Sequence, residues 1–98
     1  MTLRIQKSDE HKRVVLTLVG RIQANQVAEL EALLRSETDH SLVLDLKDVK
    51  LVDRESVRFL ATSEAEGIEL RNCSAFIREW ISQERSEMRR TKAEHQPL

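Results

Sequence analysis

Two apolar runs, "RVVLTLVG" at 13–20 and "SLVLDL" at 41–46, restrict the folds open to this chain more than any other feature. Side chains alternate along an extended strand, so Val14, Leu16 and Leu18 share one face of the first run. Val15, Thr17 and Val19 share the other. A strand that is apolar on both faces belongs inside a sheet rather than at its edge. The second run is continuous rather than alternating, the pattern of a strand covered on both sides. Between them, "RIQANQVAELEALLRSETD" carries Val27, Leu30 and Leu34 at helical spacing, widened by Leu33, with Asn25 placed as N-cap.

The flanking segments extend this pattern. Leu3 and Ile5 alternate with Arg4 and Gln6, which marks a half-buried strand, and "KSDEHK" reads as a polar turn into the 13–20 run. An antiparallel hairpin follows from so short a connection. Gly20 reads as the end of the second strand. After the 41–46 run, Asp53 can cap a helix whose stripe is Val57, Leu60 and Ala61 and which Gly67 stops. "IELR" is a short strand. A last helix places Cys73, Phe76, Ile77, Trp80 and Ile81 at i, i+3, i+4, i+7 and i+8, capped by Ser74 or Asn72. The order β-β-α-β-α-β-α predicts an α/β fold with a mixed four-stranded sheet, the helices forming a second layer. The domain is expected over 1–84. Residues 85–98 form a polar tail, helical in part before fraying, with Met88 seven residues past Ile81.

Composition narrows the function classes. Ninety-eight residues hold one core, and 40% apolar residues suffice to fill it. Sixteen basic against 17 acidic side chains give a formal charge of -1, with no pull toward nucleic acid or an anionic membrane. Phe59, Phe76 and Trp80 are too few for a base-stacking platform. The lone Cys73 excludes an internal disulfide and favours a reducing compartment. With no apolar run of about 20 residues and no leader-like N-terminus, the expected location is the cytoplasm.

Little in the chain looks catalytic. His11, His40 and His95 stand apart from one another and from any ligand set, so no metal or other cofactor is expected. There is no phosphate loop, the chain having two glycines, and no nucleophile motif. Cys73 reads as a small apolar core residue, although a helix N-terminus beside it would lower its thiol pKa. The mixed charges of Arg85, Arg89, Arg90 and Lys92 with Glu84, Glu87 and Glu94 describe a solvated helix face. Trp80 reads as a lid on the core.

The most informative stretch is "LVLDLKDVKLVDRESVRFL", where a strand hands over to a helix through Asp53, Arg54, Glu55 and Ser56. Local physics accounts for the acids there: Asp53 caps, and Glu55 meets the positive end of the helix dipole. The stretch also resembles the central signature of STAS domains, the family of anti-sigma factor antagonists and of sulphate-transporter cytoplasmic domains. "LTLVGRI" is similar to that family's strand-Gly-x-Ile entry to its first helix, and "GIELRNCSAFIREWI" to its later strand and helix. The resemblance covers about residues 3 to 82 and implies helices packed chiefly on one side of the sheet.

It also implies a non-catalytic regulatory module that docks to a serine-kinase anti-sigma factor and is released when that kinase phosphorylates a loop serine. Matched position by position, Asp53 is retained, Arg54 replaces the first serine, Glu55 occupies the phosphoacceptor position and Ser56 stands where a glycine is usual. Gln23 takes the place of an aspartate that contacts the kinase in the antagonists. Gln23, Asp53, Arg54, Glu55 and Ser56 are therefore the expected partner-binding residues, with a fixed charge in place of the phosphorylation switch. The alternatives are a scaffold subunit of a larger signalling or transport assembly, or a self-associating chain that pairs, as a homodimer, through its last helix and tail.

Overall fold

The computed structural model describes residues 3–37 and 41–94, with side chains described as far as Met88. His40 and His95 lie outside the described residues, as does the end of the tail. The elements are β1 (Leu3–Glu10), β2 (Arg13–Ile22), α1 (Ala24–Ser36), β3 (Ser41–Val52), α2 (Arg54–Ala65), β4 (Glu69–Arg71) and α3 (Ala75–Glu94). The four strands form one sheet in the order β1-β2-β3-β4. β1 runs antiparallel to β2, while β3 is parallel to both β2 and β4. This is the mixed α/β sheet that the sequence order predicts, with the 13–20 and 41–46 runs as its two inner strands.

One face of the sheet carries the core. Val14, Leu16 and Leu18 of β2 and Leu44 and Leu46 of β3 pack with Leu30 of α1, with Val57, Phe59, Leu60 and Ala61 of α2, and with Ile77 and Ile81 of α3. Leu3 and Ile5 extend this layer onto β1. On the opposite face Val15 and Val43 are also buried, outside the cluster that the helices cover. Val15 pairs with Val43 and Val43 with Glu69, so the charged Glu69 shares their face. Arg71 of β4 reaches Glu10 of β1 at 3.4 Å, which takes the pair across both inner strands, and Arg13 pairs with Glu69. Aliphatic stems of arginine and glutamate shield apolar surface while their ends stay wet.

Several boundaries differ from the sequence reading. "KSDEHK" is mostly strand: Lys7 to Glu10 pair one for one with Leu16 to Arg13, and only His11 and Lys12 turn, His11 with a positive φ of 52°. Its polarity reflects an exposed edge strand, where charge discourages pairing with other chains. Gly20 does not end β2. The β2–β3 register shifts between Thr17 and Val19 and again between Gly20 and Arg21, and Gly20 adopts a φ of 107°. A residue without Cβ lets the strand bend at a bulge and continue, which brings Ile22 into the core.

β3 likewise continues past Leu46 to Val52 although β4 pairs only with Val43–Asp45. The outer edge left unpaired carries Lys47 and Lys50, charges that discourage pairing with other chains. α1 is capped by Gln23 rather than Asn25, because β2 runs without a loop to Ile22 and the helix starts at once.

In α3, Ser74 is the cap, its Oγ accepting the Ile77 N–H at 3.3 Å. Cys73 precedes the helix but packs, half-buried, against the core, and burial pushes its thiol above the ordinary value despite a favourable pull from Arg78. Phe76 was expected in the core and is 67% exposed. The inward stripe is Ile77, Ile81, Glu84 and Met88, and each helical step rotates a side chain by about 100°, so Phe76 points away from it.

The two kinds of cover on the sheet have different strengths. Leu16→Ala should destabilise the chain by about 3 kcal/mol through the cavity it leaves. Arg71→Ala should cost under about 1 kcal/mol, as exposed ion pairs do. Urea denaturation midpoints of the two variants against the parent measure this difference.

A carboxylate-clamped pair of helix entrances

The parallel pairing of β2 and β3 brings Ile22 beside Val52. Each strand passes directly into a helix, so the first turns of α1 and α2 start side by side. One carboxylate serves both. Asp53 Oδ1 accepts the Ser56 N–H at 2.9 Å and so caps α2, while Oδ2 accepts the Ala24 N–H, the first residue of α1, at 2.8 Å. The Gln23 N–H is taken by Gln26 Oε1 at 3.0 Å within α1. Four N–H groups at each helix start lack a partner in their own helix, and this arrangement supplies acceptors to three of them from two side chains.

Ser56 completes the clamp from inside. Its side chain is 0% exposed, with Oγ at 2.7 Å from the Ile22 carbonyl and 2.6 Å from Asp53 Oδ1. The hydroxyl has one hydrogen for two acceptors and holds the end of β2 against the start of α2. Ser56 is therefore withdrawn from the surface set in which the sequence had placed it: one residue past the exposed Glu55, the helix has turned it into the core. Burial pushes the Asp53 carboxyl up, but the Ser56 hydroxyl and the Ser56 and Ala24 N–H groups outweigh it and hold the group below its ordinary value.

Gln23, Arg54 and Glu55 are exposed around this clamp. Glu55 lies in the first turn of α2, where a negative charge meets the unpaired N–H groups and the positive end of the helix dipole. Arg54 turns toward α3, its Nε 3.4 Å from Glu84 Oε1. Glu84 also accepts from Arg58 Nε at 2.8 Å and from Trp80 Nε1 at 3.3 Å. It is only 7% exposed. The Arg58 hydrogen bond is the largest influence on it and, against burial, keeps the carboxyl below its ordinary value.

Glu84 and Arg58 were not among the candidate residues. The available signal was an acid at i+3 from Ile81 and i+7 from Ile77, on a stripe otherwise apolar. Such a position demands a buried partner. Among the described residues no three His, Cys, Asp or Glu side chains gather as a metal site. No helix there is long and apolar enough to cross a membrane.

No family model matches the sequence, and no curated protein matches it. Solved structures do. The fold is similar to that of the anti-sigma factor antagonist SpoIIAA in its unphosphorylated form, with a TM-score of 0.62 and 15% identity, over 93% of this chain and 98% of that one. A crystal structure of Mglu matches 67% of this chain with a TM-score of 0.52 and 29% identity. The chain spans 18% of the length of Mglu. With its element order, mixed sheet and near-complete overlap with SpoIIAA, the chain is a STAS-like domain in fold.

Asp53→Ala should lower stability by about 2 kcal/mol, roughly 1 kcal/mol for each helix entrance released, and Asp53→Asn by less because asparagine also caps. The folded-state carboxyls of Asp53 and Glu84 both lie below their ordinary values of 3.8 and 4.5. Their contribution is then complete above pH about 5 and is lost as the pH falls through the depressed folded values. Urea melts between pH 7 and pH 2.5 should show a steep loss below pH 4 in the parent and a shallower one in Asp53→Ala.

Proposed function

We propose that this chain is a non-catalytic, cytoplasmic protein-interaction module that docks a partner through the clamped helix entrances, with Gln23, Arg54 and Glu55 as contacts and Asp53 holding them in register. The partner class is a serine-kinase anti-sigma factor, by analogy with SpoIIAA, an anti-sigma factor antagonist. The observation that carries this reading is the exposed carboxylate of Glu55 in the first turn of α2, at the position where the related signature has its phosphoacceptor. Glutamate supplies about one negative charge, against roughly 1.5 to 2 and three acceptor oxygens for a phosphoserine. Docking here is then set by a permanent charge and does not cycle.

The neighbouring serine supports the same view. A kinase needs an accessible hydroxyl, and Ser56 Oγ is buried against Ile22 O and Asp53. A phosphoryl group on it would sit against a carboxylate inside the core. A second reading, a scaffold unit within a larger assembly, draws on Mglu, a longer chain that shares this architecture over 18% of its length.

The test is titration of the chain against a serine-kinase anti-sigma factor by calorimetry, together with radiolabelled ATP. Wild type should bind and take up no label. Glu55→Arg should weaken binding roughly tenfold or more, the effect of reversing a charge in a contact. Glu55→Ser should gain label. Phosphorylation of Ser56 in the parent, or full affinity in Glu55→Arg, would overturn the proposal.

A further inference from the structure

α3 carries a surface that the fold does not use. Phe76 is 67% exposed and its ring lies 5.8 Å from that of Trp80, tilted by 58°. Glu79, Trp80 and Gln83 line a hollow with Phe76. Gln83 also lines a second hollow, with Arg54, Ser82, Glu84, Ser86 and Glu87. The two hollows therefore form one continuous strip, which runs from the aromatic pair along α3 to the entrance of α2. From Phe76 to Glu87 it measures about 16 Å along the helix axis at 1.5 Å per residue. A strip of that length is one part of a standard interface of about 800 Å² per partner, the helix entrances beside it being another.

Its charge is one-sided. Arg54 and Arg58 would make the strip basic, but both are engaged by the buried carboxylate of Glu84. Glu55, Glu79 and Glu87 enter no ion pair among the described side chains. Glu55 and Glu87 both lie near enough to Arg58 for their charges to act on it. Among the described side chains, two cations and four anions leave the strip acidic, with an aromatic pair at one end. A second copy of this chain is a poor occupant: antiparallel stacking of α3 on itself about Gln83 sets Glu79 against Glu87 of the other copy, and like charges in register repel.

We infer that the outer face of α3, from the Phe76–Trp80 pair to Glu87, is a second part of the docking surface and receives a basic element of the protein partner that carries an apolar anchor. The anchor packs on Phe76 and Trp80, and its cations meet Glu79, Glu87 and Glu55. Tryptophan, tyrosine and arginine typically dominate interfaces, so the aromatic end supplies most of the affinity and the acidic rim the salt dependence. Glu84 is a positioning residue. It ties the Trp80 indole to Arg54 and Arg58 and so fixes the two parts of the surface relative to each other. This inference rests on the reading of the chain as an interaction module.

The experiment uses the full chain and the same serine-kinase anti-sigma factor, with Phe76→Asp, Glu79→Lys and Glu55→Arg compared by calorimetry at low and high salt. Phe76→Asp should fold normally, being on the surface and acidic at a helix N-terminus, and circular dichroism melts check this. It should lose roughly 30-fold in affinity. Glu79→Lys should lose roughly fivefold and flatten the salt dependence. Full affinity in Phe76→Asp alongside loss in Glu55→Arg overturns the α3 surface and leaves the docking function standing. Failure of wild type to bind the kinase removes the docking function and this inference with it. If sedimentation shows a dimer that Phe76→Asp makes monomeric, the occupant is a second copy and the inference is overturned in that way.

Discussion

The architecture around the site depends on the Asp53 carboxylate. Two parallel strands that end together must start two helices together, and the N–H groups exposed at both starts need acceptors in a small space. A single side chain with two oxygens meets that need, one oxygen for each helix. The register of β2 on β3 is therefore coupled to the helices that follow: a slip of one residue would separate Ala24 from Asp53. Ser56 adds the third side of the arrangement by joining the last carbonyl of β2 to the same carboxylate. Glu55 and Gln23 hold their positions because this clamp holds theirs.

The fold was legible where a periodicity had a single physical cause. β2 and the first half of β3 read as inner strands from their apolar faces, and the hairpin and the element order followed. Errors came where polarity had more than one cause. The charged run 7–10 is an edge strand, and "KDVKLV" is a strand with a free edge; each resembles a loop because each faces water. Gly20 marks a bulge, which a single glycine does not distinguish from a strand end. In α3 the stripe was shifted by one neighbour, because Phe76 looks like a core residue and Glu84 does not. The inward place of Glu84 depends on Arg54 and Arg58, some 26 to 30 residues away in sequence. No local pattern encodes that partnership.

At the site, sequence reading placed the cap and the acid in the first helical turn, left the acid's exposure open, and misjudged the serine. Asp53 was legible as a helix cap, but its reach to Ala24 was not, since that bond depends on the parallel register of strands 29 residues apart. Glu55 and Ser56 illustrate how sharply a helix sorts adjacent residues. A rotation of about 100° separates a carboxylate in water from a hydroxyl with no exposed surface.

That sorting separates what the fold constrains from what a partner can select. Ser56 is fixed by the clamp: a larger or charged group there would break the bonds to Ile22 and Asp53 and strand their oxygens in the core, at a cost of several kcal/mol. Position 55 bears no such load. An exposed acid in the first helical turn contributes at most about 1 kcal/mol to the fold, so serine or glutamate is tolerated there nearly equally. Any preference at that position beyond this small term must come from outside the chain. The surface of α2 around Glu55 is therefore where the fold leaves the sequence free, and the clamp beneath it is where the fold is not free to change.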